Sequence, residues 1–182
     1  MKRTIREMGS NDVDLMINYF LQAEPDFLKG MGADPNKLPS LAEWRQRLLE
    51  DFERSIQNKE FYYLIWKLED DPIGHSNINQ IIFGIEAYMH LHLWQPIQRR
   101  SGHGKFFIKA CITGYFEKFK LKNLFCEPYA MNPGPNRILP KVGFELVKTY
   151  DTTPGWINFH QTVNRWVLTQ EKWLEISKKD HS

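Results

Sequence analysis

Residues 98–107 read Gln-Arg-Arg-Ser-Gly-His-Gly-Lys-Phe-Phe, two glycines set among cations immediately before an apolar run. Upstream, the run 85–94 predicts a strand. Downstream, Phe107, Ile108, Cys111, Ile112, Tyr115, Phe116 and Phe119 recur at the three- and four-residue spacing of a helix over 104–119. The stretch is therefore a strand-to-helix turn, and what that turn holds decides the reading of the chain. A helix start leaves about four backbone N–H groups without partners and carries roughly half a positive charge. Glycines let the backbone approach a ligand with no side chain intervening. Arg99, Arg100 and Lys105 add formal charge around Ser101, Gly102, His103 and Gly104. Together these residues predict a pyrophosphate site, against the plainer alternative of a turn with solvated cations.

Two common phosphate loops do not fit. A Walker-type loop needs Ser or Thr after its lysine, where Phe106 stands, and a glycine where Arg99 stands. A dinucleotide fingerprint needs a third glycine at the position of Phe107, in an early βαβ unit.

Working outward, 4–8 predicts a short strand. Val13, Met16, Ile17, Phe20 and Leu21 then follow a helical period. The Pro- and Gly-rich segment 24–39 reads as a long loop. Ser40 and Glu43 form a capping box at the head of a helix carrying Leu41, Trp44, Leu48, Leu49, Phe52 and Ile56. Strands are expected at 61–68, 73–82, 85–94, 123–127, 144–150 and 157–168. A short helix over 132–142 should kink or end at Pro140, and the tail containing Trp173 should add at most a last helical turn. There is no repeat, low-complexity segment or linker. The expectation is one α/β (α+β) domain over 1–182, with its core at 3–168 and a tail at 169–182.

Composition sets the bounds. With 182 residues, the chain is long enough to bury roughly 70% of its unfolded surface. A net charge of +2 supplies no basic field for nucleic acid. Cys111 and Cys126 have no disulfide or metal spacing and read as buried thiols. No run approaches the roughly 20 apolar residues of a membrane span, and the N-terminus lacks a signal-peptide pattern. The expected location is the cytoplasm, as a monomer or homodimer.

Arg99-x-x-Gly102-x-Gly104 resembles the (Gln/Arg)-x-x-Gly-x-(Gly/Ala) motif of the GNAT superfamily of acetyl-CoA-dependent N-acetyltransferases. The element order over 3–168 is similar to that fold, with the motif between its fourth strand and the next helix. The segment Asn132-Pro133-Gly134-Pro135-Asn136-Arg137-Ile138-Leu139-Pro140-Lys141-Val142-Gly143-Phe144 resembles the Asn-x-x-(Ser/Ala)…Lys-x-Gly-Phe run of the Rim-type branch, which acetylates protein N-termini and related amines. The resemblance implies a mixed, mostly antiparallel sheet of about seven strands flanked by about four helices. It implies acetyl-CoA at the glycine turn, at Leu93 and Trp94 on the splayed end of the fourth strand, and at Asn132 and Asn136. The acceptor would be a small-molecule amine or a protein N-terminus. Its pocket would be shaped by 24–39, the second helix and 152–156.

Acetyl transfer needs a neutral amine, an oriented thioester and a proton acceptor. Glu127, five residues before Asn132, resembles the base of ribosomal-protein N-terminal acetyltransferases. It could equally be an ordinary ion-pair partner. Tyr88, His90 and His92 alternate along one strand and so share a face, where either histidine could serve as base or simply pack. The family's tyrosine, the acid to the thiolate, is replaced by Leu139, leaving Tyr129 or water to supply that proton. Two other readings stay open. One is a metal site built on His90 and His92 with Glu127 or Glu86. The other is a non-catalytic acyl-CoA-binding domain.

Overall fold

The computed structural model describes residues 2–94 and 102–180. Seven strands form one sheet: β1 (Arg3–Glu7), β2 (Phe61–Leu68), β3 (Asp71–Ile82), β4 (Glu86–Leu93), β5 (Asn123–Cys126), β6 (Glu145–Thr152) and β7 (Gln161–Thr169). Their order is β1-β2-β3-β4-β5-β7-β6. Every neighbouring pair is antiparallel except β4 and β5. A parallel pair needs a crossover, which α4 (His103–Phe119) supplies.

The period-2 alternation of the strands separates two cores. On one face α4 buries Phe107, Ile108, Cys111, Ile112, Tyr115, Phe116 and Phe119 against Ile78, Ala87, Met89, Leu124 and Leu168. Each large apolar side chain so buried contributes about 1.5–3 kcal/mol relative to exposure. On the other face α1 (Val13–Leu21) and α3 (Leu41–Phe52) bury Met16, Ile17, Phe20, Trp44 and Leu48 against Phe61, Tyr63 and Ile65. None of the residues of this second core comes from β5, β6 or β7. That end of the face is left for other uses. The capping box predicted for α3 is present in both directions, Glu43 N–H donating to Ser40 Oγ at 3.3 Å and Ser40 N–H to the Glu43 carboxylate at 3.0 Å.

Four features differ from the sequence expectation. Segment 24–39 is not a plain loop: it contains α2 (Pro25–Gly30), with proline in its first turn, and a 3-10 turn at Pro35–Lys37. It is laced to the β6–β7 connection, with Asp34 N–H donating to the Ile157 carbonyl at 2.8 Å and Gln161 Nε2 to the Gly32 carbonyl at 2.7 Å. The last strand begins at Gln161 because residues near 157 are spent on that lacing. Pro140 does end a helix, with α5 (Pro133–Ile138) giving way to a 3-10 turn at Leu139–Val142. The tail is a full helix, α6 (Gln170–Asp180), whose Trp173 stacks on Phe116 with ring centroids 4.9 Å apart. Among the described residues the α-helices thus number six, where about four were expected.

Candidate active site

The site begins where two strands part. β4 pairs with β5 only through Glu86↔Asn123, Ala87↔Leu124 and Tyr88↔Phe125, yet β4 runs on to Leu93. On its other side the Trp94 N–H donates to the Ile73 carbonyl at 2.9 Å. Counting back along that antiparallel register, residues 92 and 90 also bond towards β3. The Met89 N–H completes the β5 ladder at Phe125, and the backbone groups of Leu91 and Leu93 point the same way, into the gap beyond the end of β5. Among the described residues they have no backbone partner there. The gap is a notch lined on one side by an open strand edge, which can receive a ligand through extended-chain hydrogen bonds. Leu93 lies on this edge. Trp94 differs, with its N–H committed to Ile73 and its indole donating to His75 Nδ1 at 2.8 Å.

Helix α4 starts beside β4's end in sequence. Gly102 caps it at φ +80° with no side-chain hydrogen bond, so among the described residues the first N–H groups, on His103, Gly104 and Lys105, have no side-chain cap. A Cβ built on Gly102 or Gly104 would meet nothing within 4 Å, so the turn is open to an approaching group. Lys105 is exposed there. Arg99, Arg100 and Ser101 lie outside the described residues.

At the closed end of the notch stands a polar unit. Glu127 follows β5 directly, and its Oε1 accepts from Arg165 Nε and, at 2.6 Å, from the Tyr150 hydroxyl. Arg165 Nη2 donates to the Tyr150 hydroxyl at 2.9 Å and to the Tyr88 hydroxyl at 3.2 Å. Burial, with Glu127 next, pushes Tyr150 up to about 12, so its proton stays on. Neither Arg165 nor Tyr150 was singled out from the sequence. The available signal was a cation between Val163 and Val167 on one face of an apolar strand.

The family model for the acetyltransferase (GNAT) domain matches residues 2–145. The chain belongs to the GNAT acetyltransferases. Solved GNAT structures share its fold: a Vibrio cholerae spermidine N-acetyltransferase in complex with CoA and spermine superposes with a TM-score of 0.77 at 16% identity, covering 94% of this chain and 98% of that one. RimL, a ribosomal alpha-N-protein acetyltransferase in complex with coenzyme A, gives 0.74 at 16% identity over 93% and 94%. An aminoglycoside acetyltransferase in complex with coenzyme A gives 0.72 at 17% identity over 96% and 98%. None of the curated proteins compared matches the chain.

In this GNAT domain the three strand histidines are packed together. His75 and His92 stack with centroids 4.7 Å apart, Phe20 and Tyr19 edge onto His92, and His90 Nε2 bonds to Asn79 Oδ1 at 3.0 Å. Burial holds all three imidazoles neutral: His75 well below its usual range, His90 down to about 4 and His92 to about 3. Below about pH 6.5 the unfolded chain protonates them while the folded chain does not, so stability is full above that pH and falls as pH drops. His75 alone gives a slope of about 1.4 kcal/mol per pH unit. That one histidine should lower the melting midpoint by about 4–8 °C between pH 7 and 5, and His90 and His92 should each add to the fall. A midpoint unchanged over that range would contradict neutral burial.

Asn132 caps α5, accepting from Gly134 N–H at 3.2 Å. Asn136 ties the loop together: its amide donates to the Tyr129 and Asn132 carbonyls at 2.9 and 2.7 Å, and its Oδ1 accepts from Asn164 and Trp166, both at 3.0 Å. Leu139 is buried in the α4-side core. Burial pushes the Cys111 and Cys126 thiols up to about 12, leaving them unreactive near neutrality. A cleft of about 630 Å3 reaches from Arg47 and Trp156 to Tyr88 and Glu86. Trp156 sits edge-on to Trp44, 5.7 Å away, under the Arg47 guanidinium. Segment 24–39, α3 and the β6–β7 connection thus meet on this side.

Proposed function

We propose that the protein transfers an acetyl group from acetyl-CoA to a primary amine by direct attack within a ternary complex. The observation that carries the reading is the notch: among the described residues, β4 residues 91 and 93 present backbone groups without a partner, and the start of α4 has no side-chain cap. An extended pantetheine arm suits the first and a pyrophosphate the second. Gly102, His103, Gly104 and Lys105 would hold the phosphates, with Arg99, Arg100 and Ser101 expected beside them and Asn132 and Asn136 nearer the arm. The amine nitrogen attacks the thioester carbonyl carbon, the C–S bond breaks, and coenzyme A leaves as its thiolate.

The attacking nitrogen becomes positive as it bonds, and Glu127 is the group placed to stabilise that charge and take the proton. Its carboxyl group stands at the end of the notch, whereas burial holds His90 and His92 neutral and both are committed to packing. Near neutrality the departing thiolate is a fair leaving group, and water can protonate it where Leu139 offers no hydroxyl. The acceptor is a small-molecule amine or a protein N-terminus, entering by the cleft between Trp156 and Tyr88. The fold neighbours act, by name, on spermidine, an aminoglycoside and a ribosomal protein, so they do not rank these classes.

The test is amine-dependent release of coenzyme A thiol from acetyl-CoA, with spermidine, an aminoglycoside and a peptide bearing a free N-terminus. Thiol release that depends on at least one amine is expected. Coenzyme binding with no turnover on any amine would leave the non-catalytic acyl-CoA-binding reading instead.

A further inference from the structure

We infer that Arg165 is a positioning residue for the proposed base: with Tyr150 it tethers one oxygen of Glu127 and leaves the other for the acceptor's proton. The inference rests on the reading of Glu127 as base.

Both tethers land on the same atom. Arg165 Nε and the Tyr150 hydroxyl donate to Oε1, and among the described residues Oε2 receives no hydrogen bond. Two donors on one oxygen fix the carboxylate's rotation, and the free oxygen keeps its lone pairs for an amine or a water. Arg165 is itself held in place. Its Nη2 reaches the Tyr88 and Tyr150 hydroxyls, and its guanidinium lies 5.3–5.7 Å from the ring centres of Tyr150, Phe125 and Tyr88. One side chain on β7 therefore touches β4, β5 and β6, and Tyr88 is the last β4 residue paired before the notch opens.

A purely structural brace is the weaker explanation. The strands it spans are already joined by backbone ladders from β4–β5 through β5–β7 to β6–β7. The Glu127 side chain is only 9% exposed, so the pair loses much of its hydration for little net stability. An ion pair that adds little to the fold, yet aims a carboxylate at the end of an open notch, is better accounted for by orientation of that carboxylate.

The experiment is a double-mutant cycle by steady-state kinetics, using acetyl-CoA and the amine from the above panel that turns over fastest. Arg165→Met should lower kcat by about tenfold to a hundredfold, a large part of a general base's usual effect. The KM for acetyl-CoA and the thermal shift it produces should stay as in the wild type, and Arg165→Lys should recover part of the rate. In a Glu127→Gln background, Arg165→Met should cost no more than about twofold further, because it acts through the group already removed. An undiminished loss in that background, or a wild-type kcat for Arg165→Met, would overturn the inference. Should Arg165→Met not fold, Tyr150→Phe in the same cycle reads the same coupling through the second tether. If Glu127→Gln turns over at the wild-type rate, the base reading falls and this inference with it. If Glu127→Gln is slow while Arg165→Met is unimpaired, only this inference falls.

Discussion

A Gly102→Val variant is expected to bind acetyl-CoA at least about a hundredfold more weakly while losing only a few degrees of melting temperature. Gly102 holds φ +80° as the cap of α4. A β-branched residue resists that conformation at a cost of about 1–3 kcal/mol, so the chain relieves the strain by rotating the turn. Among the described residues, its chain neighbours aside, nothing lies within 4 Å of the added Cβ, so the fold there has nothing to clash with. The N–H groups of His103, Gly104 and Lys105 re-aim instead, and the valine side chain occupies the approach to them. Gly84 is the control: it holds φ +78° with equally open surroundings, in the β3–β4 connection. Gly84→Val should give similar strain and leave coenzyme affinity alone. Isothermal titration of both variants checks this. Equal affinities for Gly102→Val and the wild type would return the corner to a plain turn.

Glu127→Gln should lower kcat by about a hundredfold or more, with coenzyme affinity preserved. The substitution keeps the shape, and the amide oxygen can still accept from Arg165 and Tyr150, so the side chain stays in place. What is lost is the carboxyl group that the proposed mechanism uses to stabilise the attacking nitrogen and take its proton. A rate unchanged in steady-state assays would move the base to His90, His92 or water.

How far the sequence carried this account depended on how local each signal was. β2 came out at its observed bounds because Phe61 to Leu68 is an aromatic and aliphatic run, interrupted by Lys67 alone and closed by turn residues. Helix α3 announced itself through Ser40 and Glu43, three residues apart. The start of α4 just after Gly102 was legible because its signal lies within a few residues of chain. Short α2 was hidden, since six residues opened by a proline inside a proline- and glycine-rich segment carry no period to read. Helix α6 was underestimated because what holds it, the stacking of Trp173 on Phe116, joins residues far apart in the chain. The unit around Glu127 failed for the same reason. Tyr150 is 23 residues away and Arg165 is 38, and only the registers of β7 with β5 and β6 bring them together. Asn136 shows the limit from the other side. Its position matched a family pattern, but the four strong bonds of its amide, to Tyr129, Asn132, Asn164 and Trp166, were visible only once the loop was folded.

The central claim is that the notch and the start of α4 form a site for acetyl-CoA. A thermal-shift titration with acetyl-CoA, alongside ATP and NAD as controls, tests it most directly. A ligand at 100 times its dissociation constant stabilises by about 2.7 kcal/mol, which for a chain of this size raises the midpoint by about 5–10 °C. The account predicts that rise with acetyl-CoA and a far smaller one with ATP or NAD at the same concentrations. A midpoint that acetyl-CoA leaves unmoved up to millimolar concentration would contradict it.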